Sequence, residues 1–221
     1  MALTRDEVID AALRFVDLRG LDALTMRALA DEMGVYPTAL YWHAGTKAQL
    51  VAAVSARVFD EVVLPDEREL DWYEWLEAVA RRCRESMHRH PNLAPIAGSQ
   101  LVVATTAMPL VERTVATLER AGFSGEALVD AYNTYTGFIL GWVTTELSAE
   151  PAEPSGAWKE EFAGQLRALG ANAYPALRRN MPLLANNAFM LRWDSGRTRP
   201  LDRSFDVALT VLVRGLRELV A

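Results

Sequence analysis

Apolar side chains recur at helical spacing from the first turn of the chain. Val8, Ile9, Ala12, Leu13 and Val16 share one face of a helix that Thr4-x-x-Glu7 opens as a capping box and Gly20 ends. Met26, Leu29, Ala30 and Met33 make a second, shorter stripe, with Thr25 at its N-cap and Gly34 as the positive-φ residue that stops it. Val35 and Leu40 then anchor a third helix beginning at Pro37, whose missing N–H costs nothing in a first turn. Thr46-x-x-Gln49 is another capping box, and it opens a fourth helix with Leu50, Val51, Val54, Val58 and Val62 inward. Pro65 and the acidic run Asp66–Asp71 mark a boundary. The expected units are therefore 1–64 and 65–221.

The second unit also reads as helices. Asp71-x-x-Glu74 starts one whose stripe is Trp75, Leu76, Val79, Ala80, Cys83 and Met87, ending before Pro91. Residues 91–106 predict turns and a short helix, because Leu101-Val102-Val103 has no neighbouring strand to pair with. A helix at about 107–121 carries Met108, Val111, Val115 and Leu118 and stops before Gly122. Ser124 is the expected cap of the next, which runs to about Ser148 without a charge between Asp130 and Glu146. Its apolar residues go most of the way round, as do those of 202–220, so each must be buried on more than one side. Two such helices in one chain suggest a dimer interface, with Gly137 and Gly141 allowing close approach. Between them, a helix near 156–170 is expected, and the remaining proline-rich stretch reads as a lid or surface loop. The fold class is all-α.

Composition changes this picture little. The 221 residues are 51% hydrophobic and 24% charged, ordinary for a globular protein. No apolar run is long enough to span a bilayer, no signal peptide is visible, and the single Cys83 fits a reducing compartment. A cytoplasmic location is expected. The net charge of −6 argues against nucleic-acid binding at first sight. Its distribution softens that objection, since no acid lies between Glu32 and Asp60. Tyr36, Thr38, Ala39, Tyr41 and Trp42 face outward from the third helix and carry no carboxylate towards phosphates.

Leu24-Thr-x-Arg-x-Leu-Ala30, Gly34-Val35, Leu40-Tyr-Trp-His43 and Lys47-x-x-Leu50 occur in that order. Together they resemble the DNA-binding domain of the TetR family of bacterial one-component regulators, over residues 4–59. The Tyr-Trp-His triplet is closest to the tetracycline-repressor branch. The resemblance implies a helix-turn-helix head on a larger helical body for effector binding and dimerisation, the two over-apolar helices pairing with a partner subunit as a four-helix bundle. It implies DNA contacts from Thr25, Arg27, Tyr36, Pro37, Thr38, Ala39, Tyr41, Trp42, His43 and Lys47. Lys47 sits at a helix N-terminus that already favours an anion, so Tyr41, His43 and Lys47 form a candidate phosphate clamp. Arg27 has two readings, a DNA contact or a surface salt bridge. Tyr36 also has two: a base contact, or packing on the head itself. Relatives often carry Ser or Thr at that cap.

Catalytic patterns are missing: there is no phosphate-binding glycine loop, dinucleotide fingerprint or nucleophile elbow. Cys83, His88 and His90 lack ligand spacing, so no metal or cofactor is expected, and the two histidines read as polar groups near the helix's final carbonyls. The aromatic and Met residues of the second unit are core by default. The family's use of such an interior for an apolar effector marks Met87, Met108, Tyr132, Tyr135, Phe138, Trp142 and Phe162 as candidate pocket residues. The expected function is a homodimeric, ligand-responsive regulator, not an enzyme: most simply a repressor released from a palindromic double-stranded DNA operator by a small, largely apolar or aromatic effector. The alternative is a small all-α enzyme or ligand carrier with a vestigial DNA-binding head.

Overall fold

The computed structural model describes residues 3–97, 107–151 and 156–220. All regular structure among them is helical. The head is α1 (Arg5–Arg19), α2 (Met26–Met33), α3 (Pro37–Ala44) and α4 (Lys47–Asp60). The body comprises α5 (Trp72–Arg89), the single turn α6 (Ala94–Ala97), α7 (Met108–Ala121), α8 (Gly125–Glu146), α9 (Ala157–Arg167), α10 (Pro175–Leu184) and α11 (Asp202–Leu219).

Local chemistry sets most of the ends. Thr4 and Glu7 form the reciprocal capping box of α1, and Thr46 and Gln49 that of α4. Gly34 ends α2 in the left-handed region (φ 67°, ψ 32°), and the Val35 N–H reaches back to the Ala30 carbonyl at 3.0 Å. Ser124 does occupy the N-cap of α8, but its side chain makes no capping hydrogen bond. Gly156 is the N-cap of α9.

Two apolar cores result. Val8, Ala12, Val16, Leu24, Leu29, Leu40, Leu50 and Val54 fill the first, and Met87, Leu93, Ala94, Val143 and Leu147 of the body join it. Burial thus runs continuously from the first four helices into the later ones. The second core gathers Trp75, Leu76, Val79, Ile139, Phe205 and Leu209 where α5, α8 and α11 meet. Phe59 packs against both. A polar bond also pins the seam, Ser86 Oγ donating to the Val58 carbonyl at 2.6 Å, while within the head Arg57 of α4 pairs with Asp6 and Asp10 of α1, each at 3.0 Å.

Two expectations need correction. The stretch read as a lid or loop contains α10, which continues through Pro182. The chain beyond α10 is tied down rather than lid-like. Asn186 Oδ1 accepts from the Trp193 and Asp194 N–H groups at 3.1 and 3.0 Å, and its Nδ2 donates to Asp194 at 2.6 Å. His88 and His90 also do more than line a helix end: His88 Nε2 lies 3.3 Å from Glu146, and His90 contacts Asp17 and Glu61. Sequence spacing hides both, because the partners come from distant helices. The question of a strand at Leu101–Val103 falls outside the described residues.

Candidate nucleic-acid interface and effector cavity

The turn between α2 and α3 is built so that α3 stands out from the head. Tyr36 is extended (φ −74°, ψ 141°), as a residue before proline must be, and Pro37 starts the helix. Leu40 and Ala44 are buried against the first core, which leaves the opposite face of α3 in solvent. Tyr36 is 84% exposed, Tyr41 53% and Trp42 87%. Thr38 is exposed beside them, whereas Pro37, Ala39 and His43 are half-buried. Large aromatic side chains held this far into water leave apolar surface uncovered that a folded head would otherwise bury.

The surroundings suit a polyanion. Lys47 is the first residue of α4 and Arg27 the second of α2; both are exposed, and neither is ion-paired among the described residues. Thr25 Oγ accepts the Ala28 N–H at 3.0 Å, which leaves its own O–H free to donate outward. Gly45 is needed where α3 turns into α4: φ is 70°, and a Cβ there would sit 2.2 Å from Gln49 Oε1, the atom that accepts the Thr46 N–H. The nearby Arg57 and Arg19 are neutralised by Asp6, Asp10 and Glu32, so they add little to the face.

In the body a cavity of about 160 Å³ lies between α5, α7 and α8, with Phe59 of α4 in its wall. Val79, Val111, Tyr132, Tyr135 and Ile139 contribute apolar or aromatic surface. Its polar groups are neutral. Tyr135 donates its hydroxyl to the Leu76 carbonyl at 2.7 Å, Thr114 bonds the Leu110 carbonyl at 2.8 Å, and burial pushes the Cys83 thiol up to about 12. The same burial raises the Tyr135 hydroxyl well above the ordinary tyrosine value.

Of the pocket residues expected from sequence, only Tyr132 and Tyr135 line this space. Met87 belongs to the first core, and Met108 is 43% exposed on α7. Phe138 and Trp142 pack on Phe205, their ring centroids each 5.6 Å away. Phe162 borders a separate shallow cleft with Trp158 and Arg192. Phe59, Val79, Val111 and Ile139 were missed as lining because in sequence an apolar cavity wall and an apolar core look alike.

An exposed third helix on a small helical head, carried by a larger helical body, defines a helix-turn-helix DNA-binding regulator. The family model for bacterial regulatory proteins of the tetR family matches residues 8–54, and that for the tetracyclin repressor-like C-terminal domain matches 64–220. An HTH-type transcriptional regulator of Saccharopolyspora erythraea is 32% identical over 180 residues, 81% of this chain and 75% of its own length. The class D tetracycline repressor of Escherichia coli is 27% identical, over 96% of this chain and 93% of its own. Among solved structures, the Streptomyces coelicolor TetR family protein ActR in complex with actinorhodin superposes with a TM-score of 0.80 at 27% identity, covering all of both chains. The chain belongs to the TetR family: it is a transcriptional regulator and not an enzyme. No helix among the described residues is long and apolar enough to cross a membrane.

Proposed function

We propose that the chain is a homodimeric, ligand-responsive repressor released from a palindromic operator by a small, largely apolar or aromatic effector. Residues 1–64 are its DNA-binding head, and 65–221 its effector-binding and dimerisation body. The observation that carries this is the acid-free, solvent-held face of α3, flanked by Arg27 and Lys47, which have no ion pair among the described residues. Tyr36, Pro37, Thr38, Ala39 and Trp42 meet base edges in the major groove, while Thr25, Arg27, Tyr41, His43 and Lys47 hold phosphates. Two heads in successive major grooves stand about 34–36 Å apart.

The effector class follows from the uncharged cavity wall, and ActR's complex with actinorhodin supports an aromatic ligand. A cavity near 150 Å³ holds something of the order of one benzene ring. A larger effector therefore has to displace a wall. Phe59 is the wall that belongs to the head's last helix, so filling the cavity biases α4 and the head spacing together.

Fluorescence anisotropy on DNA from the protein's own promoter region tests the reading, with a panel of apolar and aromatic compounds added. Binding far tighter than to scrambled DNA at equal salt, and release by at least one compound, is expected. Equal affinity for both DNAs would overturn the operator. Specific binding that no compound disturbs would overturn the effector class.

A further inference from the structure

The seam between head and body holds a histidine whose two ring nitrogens both face carboxylates. His90 lies at the C-cap of α5, with its backbone N–H directed at the Ser86 and Met87 carbonyls. Its ring is only 12% exposed. Nδ1 lies 2.9 Å from Asp17 Oδ2, in the last turn of α1, and Nε2 lies 3.1 Å from Glu61 Oε2, at the C-cap of α4. One side chain of the body thus touches the ends of two helices of the head.

An ionised carboxylate only accepts, and a neutral imidazole has one N–H to donate. With His90 neutral, one of these contacts would set a ring lone pair against a carboxylate oxygen at about hydrogen-bond distance, which is repulsive. Only the imidazolium satisfies both. The surrounding charges agree. Arg89 Nη2 also reaches Glu61 Oε2, at 3.1 Å, and Arg197 donates to the Pro91 carbonyl rather than to either acid. Asn92 donates to the Val16 and Asp17 carbonyls but brings no charge. Arg82 and Glu85 border the cleft beside Glu61 without pairing to it. Among the described residues His90 is the one ion-pair partner of Asp17, whose other oxygen, Oδ1, is buried with no hydrogen-bond partner there. Burial would push the Glu61 carboxyl up, yet hydrogen bonds from His90 and Arg89 hold it below the ordinary value, so Glu61 does not carry the shared proton.

We infer that doubly protonated His90 is a latch between the DNA-binding head and the helical body, holding the head more firmly at acidic than at alkaline pH. The sign follows from the donors. The imidazolium donates to both acids, whereas a ring that has lost one N–H can donate to only one of them. Asp17, Glu61, Arg89 and His90 then go from net zero to one excess negative charge. The latch does not depend on what the α3 face binds.

The ¹⁵N-labelled full-length chain tests this directly, because it contains only three histidines. Long-range ¹H–¹⁵N spectra should show both His90 ring nitrogens protonated at about pH 6 and one bare at about pH 8.5, the His90 signals being those lost in His90→Gln. Amide exchange at residues 16–20, corrected for the intrinsic effect of pH, should be severalfold faster at the higher pH. His90→Gln should show the faster rate at both. If that variant does not fold, Asp17→Asn should shrink the pH effect while keeping the Glu61 contact. A bare ring nitrogen at about pH 6 would overturn the latch. So would exchange that ignores pH, or a pH effect that survives in His90→Gln.

Discussion

A tyrosine at the N-cap of α3 gives up the hydrogen bond that Ser or Thr would supply, and the structure returns nothing to the head for it. Tyr36 makes no side-chain cap and stands 84% exposed, so it does not pack on the helix-turn-helix. Its exposure leaves the ring available for the DNA contact proposed above. Tyr36→Ser should then restore a cap worth about 0.5–2 kcal/mol and raise the melting temperature. Operator preference should fall across a set of single-base variants. A lower melting temperature with unchanged preference would sink this assignment. Lys47→Ala makes the complementary case. It should weaken operator and scrambled DNA about equally and lower the salt slope by about 1, as loss of a phosphate contact does. A change in preferred sequence would instead mean that Lys47 reads bases.

Among elements, the junction of α5, α8 and the segment leading to α11 is held by one buried acid. Glu146 is fully buried and accepts from Arg84 at 2.7 and 2.8 Å, from the Leu201 N–H at 2.7 Å and from Trp142 Nε1 at 3.1 Å. Gly196 is pressed so close that a Cβ there would sit 2.5 Å from Glu146 Cγ. Burial alone would push this carboxyl up. The hydrogen bonds from Arg84 and the Leu201 N–H, with His88 Nε2 close by at 3.3 Å, outweigh it and hold the group far below the ordinary carboxylate range. A depressed value stabilises the fold above the unfolded glutamate value of about 4.3, and the contribution fades as pH falls below it. Glu146→Ala should cost about 3 kcal/mol, the low end for breaking a buried pair, because Arg84 keeps Asp202 at 2.8 Å. Urea titrations at neutral pH and near pH 3 check both statements: the variant should lose less stability on acidification than the parent. Equal losses would count against Glu146 as the acid-sensitive group.

For the molecule as a whole, the proposed dimer makes a demand that one chain does not. Val129 of α8 and Val207, Val211 and Leu219 of α11 are each more than half exposed. Gly137, Gly141 and Gly215 have open space where a Cβ would go. A Cβ at 141 meets nothing within 4 Å among the described residues, so Gly141→Leu should leave the subunit fold intact. If α8 lies against a partner, Gly141→Leu should raise the dimer dissociation constant by tenfold or more in sedimentation or light scattering. Unchanged association would remove close approach at α8.

By itself the sequence determined the head almost to the residue. Capping boxes at Thr4 and Thr46, the glycine at 34 and the proline at 37 act within a few residues of their own backbone, so no distant part of the chain is needed to read them. The family's ordered motifs were legible for the same reason. Only the tertiary structure decided which apolar residues border a cavity and which fill a core, since both present the same helical stripe: Tyr135 lines the space, and Met87 does not. It alone revealed that α10 continues through a proline. It alone brought Glu146 to Arg84, and His90 to Asp17 and Glu61, because those pairs lie 29 to 73 residues apart and ion pairing leaves no periodic trace in a sequence.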